Sequence, residues 1–136
     1  MLAEQGLAGA LAGQARRASL PVLVEADGVG RYPQDTESTV YFCALEALQN
    51  VAKYAGASQA MVGLSCVNGG LQFSVTDDGG GFDTHATRKG TGLQGMADRL
   101  AALGGTLHVD SQPGRGTTVK GWLPVPGQAG GAAQVR

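Results

Sequence analysis

The placement of glycine constrains this chain more than any other feature. There are 23 glycines in 136 residues, and they gather at a few points. Gly79, Gly80 and Gly81 follow Val75-Thr76-Asp77-Asp78 without a break. Gly90, Gly92 and Gly95 come shortly after, and Gly104-Gly105, Gly114 and Gly116 mark later turns. Glycine weakens helix and strand interiors, so regular elements are confined to the stretches between these clusters. Leu2 to Arg17 reads as a helix with Leu7, Ala10 and Leu11 on one side, and Pro21 to Glu25 as a short strand. A longer helix is expected from Asp35 to Ala55, capped by Asp35 or Thr36 and ended by Gly56. Gln59 to Val67 and Leu71 to Thr76 are strands joined through the hairpin signal Asn68-Gly69-Gly70. Leu93 to Leu103 is a helix with Leu93, Met96, Leu100 and Leu103 at core spacing. Thr106 to Asp110 and Thr117 to Leu123 form a second hairpin turning at Pro113-Gly114-Arg115-Gly116. The order α-β-α-β-β-loop-α-β-β predicts an α/β (α+β) fold. It is a two-layer sandwich with helices on one face of a mixed, largely antiparallel sheet.

Composition narrows the function classes. The length fits one domain, and 43% hydrophobic residues suffice for a core. The formal net charge of -1 offers no broad basic field to nucleic acid or an anionic membrane. No stretch approaches the roughly 18 apolar residues of a membrane span. Met1 to Ala12 is apolar but holds Glu4 and lacks a basic leader, so it reads as helix and not as a signal peptide. Cys43 and Cys66 have no metal-binding spacing and read as two buried thiols outside any disulfide, in a reducing compartment. The tail from Gly127 to Arg136 is glycine-rich, has too little apolar content to pack, and is expected to be disordered.

Three segments carry candidate chemistry. On the long helix, Glu46, Asn50 and Lys53 are spaced by four and three residues and form one polar stripe. An acid, an amide and an ammonium in register suit a metal–nucleotide site; taken alone, a solvated face with a Glu–Lys contact explains them as well. After the strand, Asp77-Asp78 and three glycines put a carboxylate beside a backbone that a ligand can approach closely. Such a carboxylate can accept a hydrogen bond from an exocyclic amine. A tight turn needs only one or two glycines, so three favour a binding role. Gly90-Thr91-Gly92-Leu93-Gln94-Gly95 opens the third helix, where free backbone N–H groups bind anions. The run fits GxGxxG, but the preceding Thr84 to Lys89 is polar loop and not a strand, which excludes a dinucleotide-binding βαβ unit. Lys89 and Arg88 stand where they can meet phosphate oxygens or simply be solvated.

In order, E-A-L-Q-N, D-D-G-G-G-F, G-T-G-L-Q-G-M and G-R-G-T-T-V resemble the N box, G1 box, G2 box and closing strand of the gyrase B, Hsp90, histidine kinase and MutL ATPases, with their Bergerat-type fold. The run from Gly90 to Val119 is similar to histidine kinases acting on NarL/LuxR-type response regulators, and the start of the chain resembles the segment that joins their dimerisation helices to the catalytic domain. The resemblance implies residues 1–18 as a connecting helix, 19–126 as the ATP-binding domain and 127–136 as a tail. It implies ATP and Mg²⁺ as cofactors, with Asn50 on the metal, Glu46 in support of that site and Lys53 on phosphate. It implies that Asp77 reads the adenine amino group, with Thr117 assisting through water, and that Gly79 and Gly81 shape the base pocket. Lys89, Gly90, Gly92, Leu93 and Gly95 would form the phosphate side. Tyr54 stands where many relatives have His, and the loop between Phe82 and Gly90 is short for a long lid. Neither His85 nor His108 lies in a phosphoacceptor motif.

The expected activity is therefore γ-phosphoryl transfer from Mg-ATP to a histidine on a separate dimerisation domain. The expected setting is a cytoplasmic domain of a homodimeric parent that serves a response regulator, without nucleic acid or direct membrane contact. A stand-alone serine kinase of the anti-sigma-factor type, or a nucleotide-sensing module without turnover, are the alternatives.

Overall fold

The computed structural model describes residues 2–18, 20–26, 30–52, 57–79, 93–111, 114 and 116–125. Among the described residues, three helices and five strands follow one another as α1 (Leu2–Arg17), β1 (Val22–Ala26), α2 (Gln34–Asn50), β2 (Ala60–Val67), β3 (Gly70–Asp77), α3 (Leu93–Ala102), β4 (Thr106–Ser111) and β5 (Thr117–Pro124). The strands form one sheet in the order β1-β2-β3-β5-β4. Among the described strands, only the β1–β2 pair is parallel, with α2 in the crossover between its strands; the other pairs are antiparallel. The expected two-layer sandwich is the observed one.

Alternation along the strands decides which face is covered. Val62 and Leu64 of β2, Leu71, Phe73 and Val75 of β3, and Val119 and Leu123 of β5 are all buried, and the pairing register puts them on one face. The helices supply the other half of the core. Leu7 and Leu11 come from α1, Val40, Cys43, Ala44 and Ala47 from α2, and Met96 and Leu100 from α3. The opposite face carries Met61, Thr76, Thr118, Lys120 and His108, which are exposed or half-buried. Leu7 and Leu11 belong to the same buried cluster as the sheet residues, so α1 packs as part of the fold.

Several local expectations need correction. No side chain caps α2: Pro33 occupies the N-cap position at φ -55°, and Asp35 and Thr36 lie within the first turn. The buried Glu37 carboxylate instead reaches back to accept the Tyr32 N–H at 3.0 Å and the Arg31 Nε at 3.1 Å. This ties the approach to the helix through Arg31 and Tyr32. Regular α-helix ends at Asn50, with Val51 and Ala52 in a π-type turn; the expected stop at Gly56 lies outside the described residues. Cys43 is buried as expected, but Cys66 is exposed. β1 ends opposite Leu64, so β2 runs on past its neighbour and Cys66 loses that cover. Its thiol lies 2.8 Å from the Tyr32 hydroxyl.

The hairpin turn at Asn68-Gly69 has positive φ at both residues (51° and 74°), as a two-residue type I′ turn requires. Gly121 has a different purpose. A Cβ built there would stand 2.2 Å from a Phe73 ring atom. The ring of the largest fully buried side chain thus occupies the space that any side chain on the neighbouring strand would need. Gly121→Ala is expected to destabilise the domain by about 1–3 kcal/mol through overpacking. Adding Phe73→Leu should recover part of that loss. Urea titrations of the single and double variants measure both effects, and an unchanged midpoint in Gly121→Ala would contradict this packing.

Candidate functional site

The helix-facing side of the sheet turns polar at one end. In register across β2, β3, β5 and β4 stand Ala60, Asp77, Thr117 and Ser111. All four are buried, Asp77 at 8% exposure. Asp77 continues the inward series Leu71, Phe73, Val75, so the pleat carries its carboxylate to the covered face. One oxygen accepts the Gly79 N–H at 2.7 Å, and the Thr117 main-chain N–H donates to the same carboxylate. Burial pushes its pKa up, and Asp78 nearby pushes the same way; the hydrogen bonds from Gly79 and Thr117 oppose them. Beside it, the Thr117 and Ser111 hydroxyls lie 2.7 Å apart, and Ser111 Oγ donates to the Gly116 carbonyl at 3.3 Å. Two carboxylate oxygens offer about four acceptor positions. A desolvated carboxylate so placed is a strong acceptor for a ligand amine, and the neighbouring hydroxyls suit a bridging water.

Gly116 brings the β4–β5 turn onto this row. Its φ is 77°, and a Cβ there would come 2.5 Å from the Asp77 carbonyl oxygen. Only glycine lets that turn close over the end of β3. The glycine of the G-R-G-T segment therefore has a steric reason that sequence spacing alone did not show.

Asp78, one residue on, is fully exposed but engaged. Its carboxylate accepts the Ser58 N–H at 2.9 Å, the Ser58 hydroxyl at 2.5 Å and the Gln59 N–H at 3.2 Å. These bonds hold its pKa below the usual carboxylate range. The two acids thus divide their tasks, Asp77 turned inward at the polar row and Asp78 clasping the segment that leads into β2.

The remaining predicted residues fall into two groups. Glu46 and Asn50, one turn apart near the end of α2, are both half-buried. Leu93 begins α3 and packs against the core, while Gly95 is exposed, with open space where a Cβ would stand. Lys53, Gly81, Lys89, Gly90 and Gly92 lie outside the described residues, as do Tyr54 and His85. The structure thus brings Asp77, Gly79 and Thr117 together at the sheet end and sets Glu46 and Asn50 on one helical stripe. His108 is on β4 opposite Lys120, on the face away from the helices and therefore away from Asp77. Sequence reasoning missed Ser111 and Ser58. Ser111 is recognisable only once the β4–β5 register sets it against Thr117. Among the described residues, no cluster of three or more His, Cys, Asp or Glu could hold a metal. A Mg²⁺ site of one or two protein oxygens completed by phosphates needs no such cluster, and the Asn50 and Glu46 side chains fit that modest donor set.

Residues 35–127 match the family described as histidine kinase-, DNA gyrase B-, and HSP90-like ATPase. Sensor histidine kinase MctS of Rhizobium johnstonii is 33% identical over 115 residues, covering 81% of this chain and 25% of the relative. The oxygen sensor histidine kinase NreB of Staphylococcus carnosus is 37% identical over 97 residues, covering 70% of this chain and 28% of the relative. The chain therefore spans about a quarter of the length of these curated relatives. Among solved structures, the blue-light activated histidine kinase EL346 of Erythrobacter litoralis superposes with a TM-score of 0.72 at 27% identity, over 90% of this chain and 41% of that one. The Acinetobacter baumannii histidine kinase AdeS shares the fold, with a TM-score of 0.61 at 16% identity over 90% of this chain and 62% of that one. With the one-faced sheet and its polar end in place, the chain belongs to the histidine kinase-, DNA gyrase B- and HSP90-like ATPase family, as an ATP-binding domain of the sensor histidine kinase kind.

Proposed function

We propose that this domain holds Mg-ATP with its adenine at Asp77 and its phosphates between α2 and the start of α3, and that it presents the γ-phosphoryl group to a histidine on a separate dimerisation domain. The observation that carries the reading is the buried Asp77 carboxylate, set at the polar end of an otherwise apolar face. In this reading the Asp77 carboxylate accepts the adenine amino hydrogen, and Thr117, backed by Ser111, holds a water against the ring. Gly79 gives its N–H to Asp77 and keeps the base pocket open beside the backbone, and Gly81 is assigned to the same pocket on the sequence motif alone. Asn50 offers its amide oxygen to Mg²⁺, and Glu46 supports that site from one turn away. Lys53, Lys89 and the glycines Gly90, Gly92 and Gly95 serve the phosphate side, with Leu93 anchoring the helix that follows. Mg²⁺ would neutralise phosphate charge, which together with positioning accounts for most of phosphoryl-transfer catalysis.

Residues 1–18 are proposed as the link to the dimerisation helices, and residues 127–136 as a tail outside the domain. The whole protein is proposed to be a homodimeric sensor histidine kinase with this domain in the cytoplasm. A NarL/LuxR-type response regulator is the proposed acceptor, on the similarity of the run from Gly90 to Val119. His108 is unsuited as nucleophile because it stands on the wrong face of the sheet.

Asn50→Ala is expected to abolish ATP binding or its Mg²⁺ dependence. Calorimetry that finds wild-type affinity and the wild-type Mg²⁺ response in this variant would sink the metal assignment. The two aspartates should separate cleanly. Asp77→Ala is expected to weaken ATP roughly tenfold or more, the scale of a lost charge-assisted hydrogen bond, and to erase preference over GTP. Asp78→Ala should keep the ATP preference and lower stability instead. Because the Asp78 pKa is depressed in the fold, its contribution is present above the ordinary carboxylate value and is lost as pH falls through the folded one. Melting curves of wild type and Asp78→Ala should therefore converge in acid. If Asp78→Ala is the change that erases adenine preference, the roles are reversed.

A further inference from the structure

α2 and α3 carry the two sides of the phosphate site in the reading above, and two contacts fix one helix against the other. The Arg99 guanidinium carbon sits 3.9 Å from the centroid of the Phe42 ring. The Cys43 thiol lies 4.0 Å from the Met96 carbonyl oxygen, with both residues fully buried. From the first contact to the second the chain advances along α2, from Phe42 to Cys43, and retreats along α3, from Arg99 to Met96. Continued by a turn, that stepping directs Glu46 and then Asn50 toward the first turn of α3. Spacing agrees. Phe42, Glu46 and Asn50 are at i, i+4 and i+8 on one ridge of α2, and Gly95 and Arg99 are at i and i+4 on α3. The charge field agrees too. The Cys43 thiol is pushed up to about 11 by burial, against the pull of Arg99 and with a push from Glu46, so both groups lie near it. Asp98, the acid next to Arg99, accepts instead from Gln94 on α3 at 2.9 Å.

We infer that the Arg99–Phe42 stack is a positioning pair for the triphosphate, holding the first turn of α3 at the distance from Glu46 and Asn50 that a metal-bound phosphate chain requires. The inference rests on the proposed phosphate site. Neither residue touches nucleotide; each acts through the helix it stands on. Arg is suited because a planar guanidinium can stack on an aromatic face with a defined orientation, which a flexible ammonium cannot.

Adenosine provides the internal control, because it uses the Asp77 end and has no phosphates. Calorimetric affinities for Mg-ATP and for adenosine, measured on the 136-residue chain, test the inference with Arg99→Ala, Phe42→Leu, the double variant and Phe42→Tyr. Arg99→Ala and Phe42→Leu are each expected to weaken ATP roughly three- to fivefold, the scale of one cation–π contact, with adenosine unchanged. The double variant should be no weaker than either single one, and Phe42→Tyr, which keeps the ring, should bind as wild type does. Equal losses for ATP and adenosine would make the pair merely structural and overturn the inference, as would additive losses or no loss for ATP. If the wild-type chain binds ATP no more tightly than adenosine, the phosphate site itself is wrong and the inference falls with it.

Discussion

The pleat of β3 leaves Asp77 no choice of direction. Side chains on a strand alternate between faces, so once Leu71, Phe73 and Val75 are committed to the core, the next residue of the same parity must follow them. β3 is the central strand of the sheet, with neighbours on both sides, and it cannot twist away to expose its end. A carboxylate is thus carried into an environment that disfavours its charge, and its pKa rises accordingly. The fold answers with two main-chain N–H groups, from Gly79 and Thr117, and leaves acceptor capacity for a ligand. Burial that hydrophobic packing enforces is what would make this carboxylate a discriminating acceptor in the proposed role, since a hydrogen bond gains strength where water is excluded.

The surrounding glycines and the second aspartate follow from that one placement. The β4–β5 turn has to close over the end of β3 to bring Thr117 beside Asp77, and Gly116 is the residue that admits this approach. Alternation sends Asp78 the other way, where it holds Ser58 and Gln59 and so fixes the start of β2, the strand that flanks Asp77 on its other side. Two adjacent residues of the same type therefore take opposite directions, one inward, where the ligand role is proposed, and one outward, where it serves architecture. The β2–β3 register, Ala60 against Asp77, depends on both.

Much of this arrangement was legible in the sequence, because its signals are local. Glycine clusters and periodicity bounded the helices and strands to within a few residues, and Leu7, Leu11, Met96 and Leu100 were placed correctly in the core by helical spacing alone. The position of Asp77 at the end of a strand, next to the glycines, was legible as well; its inward direction became clear with the sheet. What the sequence hid depends on partners distant in the chain. The Glu37 hold on Tyr32 displaced the expected cap because a buried carboxylate also satisfied Arg31. Cys66 was misjudged because its exposure depends on where a different strand stops. Ser111 and the Ser58–Asp78 clasp became visible only with the strand register, and the Arg99–Phe42 stack only with the packing of two helices.

The central claim is that this domain donates a phosphoryl group to a histidine it does not itself contain. Incubation with γ-labelled Mg-ATP, alone and with the parent protein's dimerisation helices supplied as a separate polypeptide, tests it directly. The account predicts acid-labile label on the helices and none on this chain. Transfer should be weak, because two unlinked pieces lack the effective concentration of a covalent connection. Stoichiometric acid-labile labelling of this chain alone, lost in His85→Ala, would contradict it.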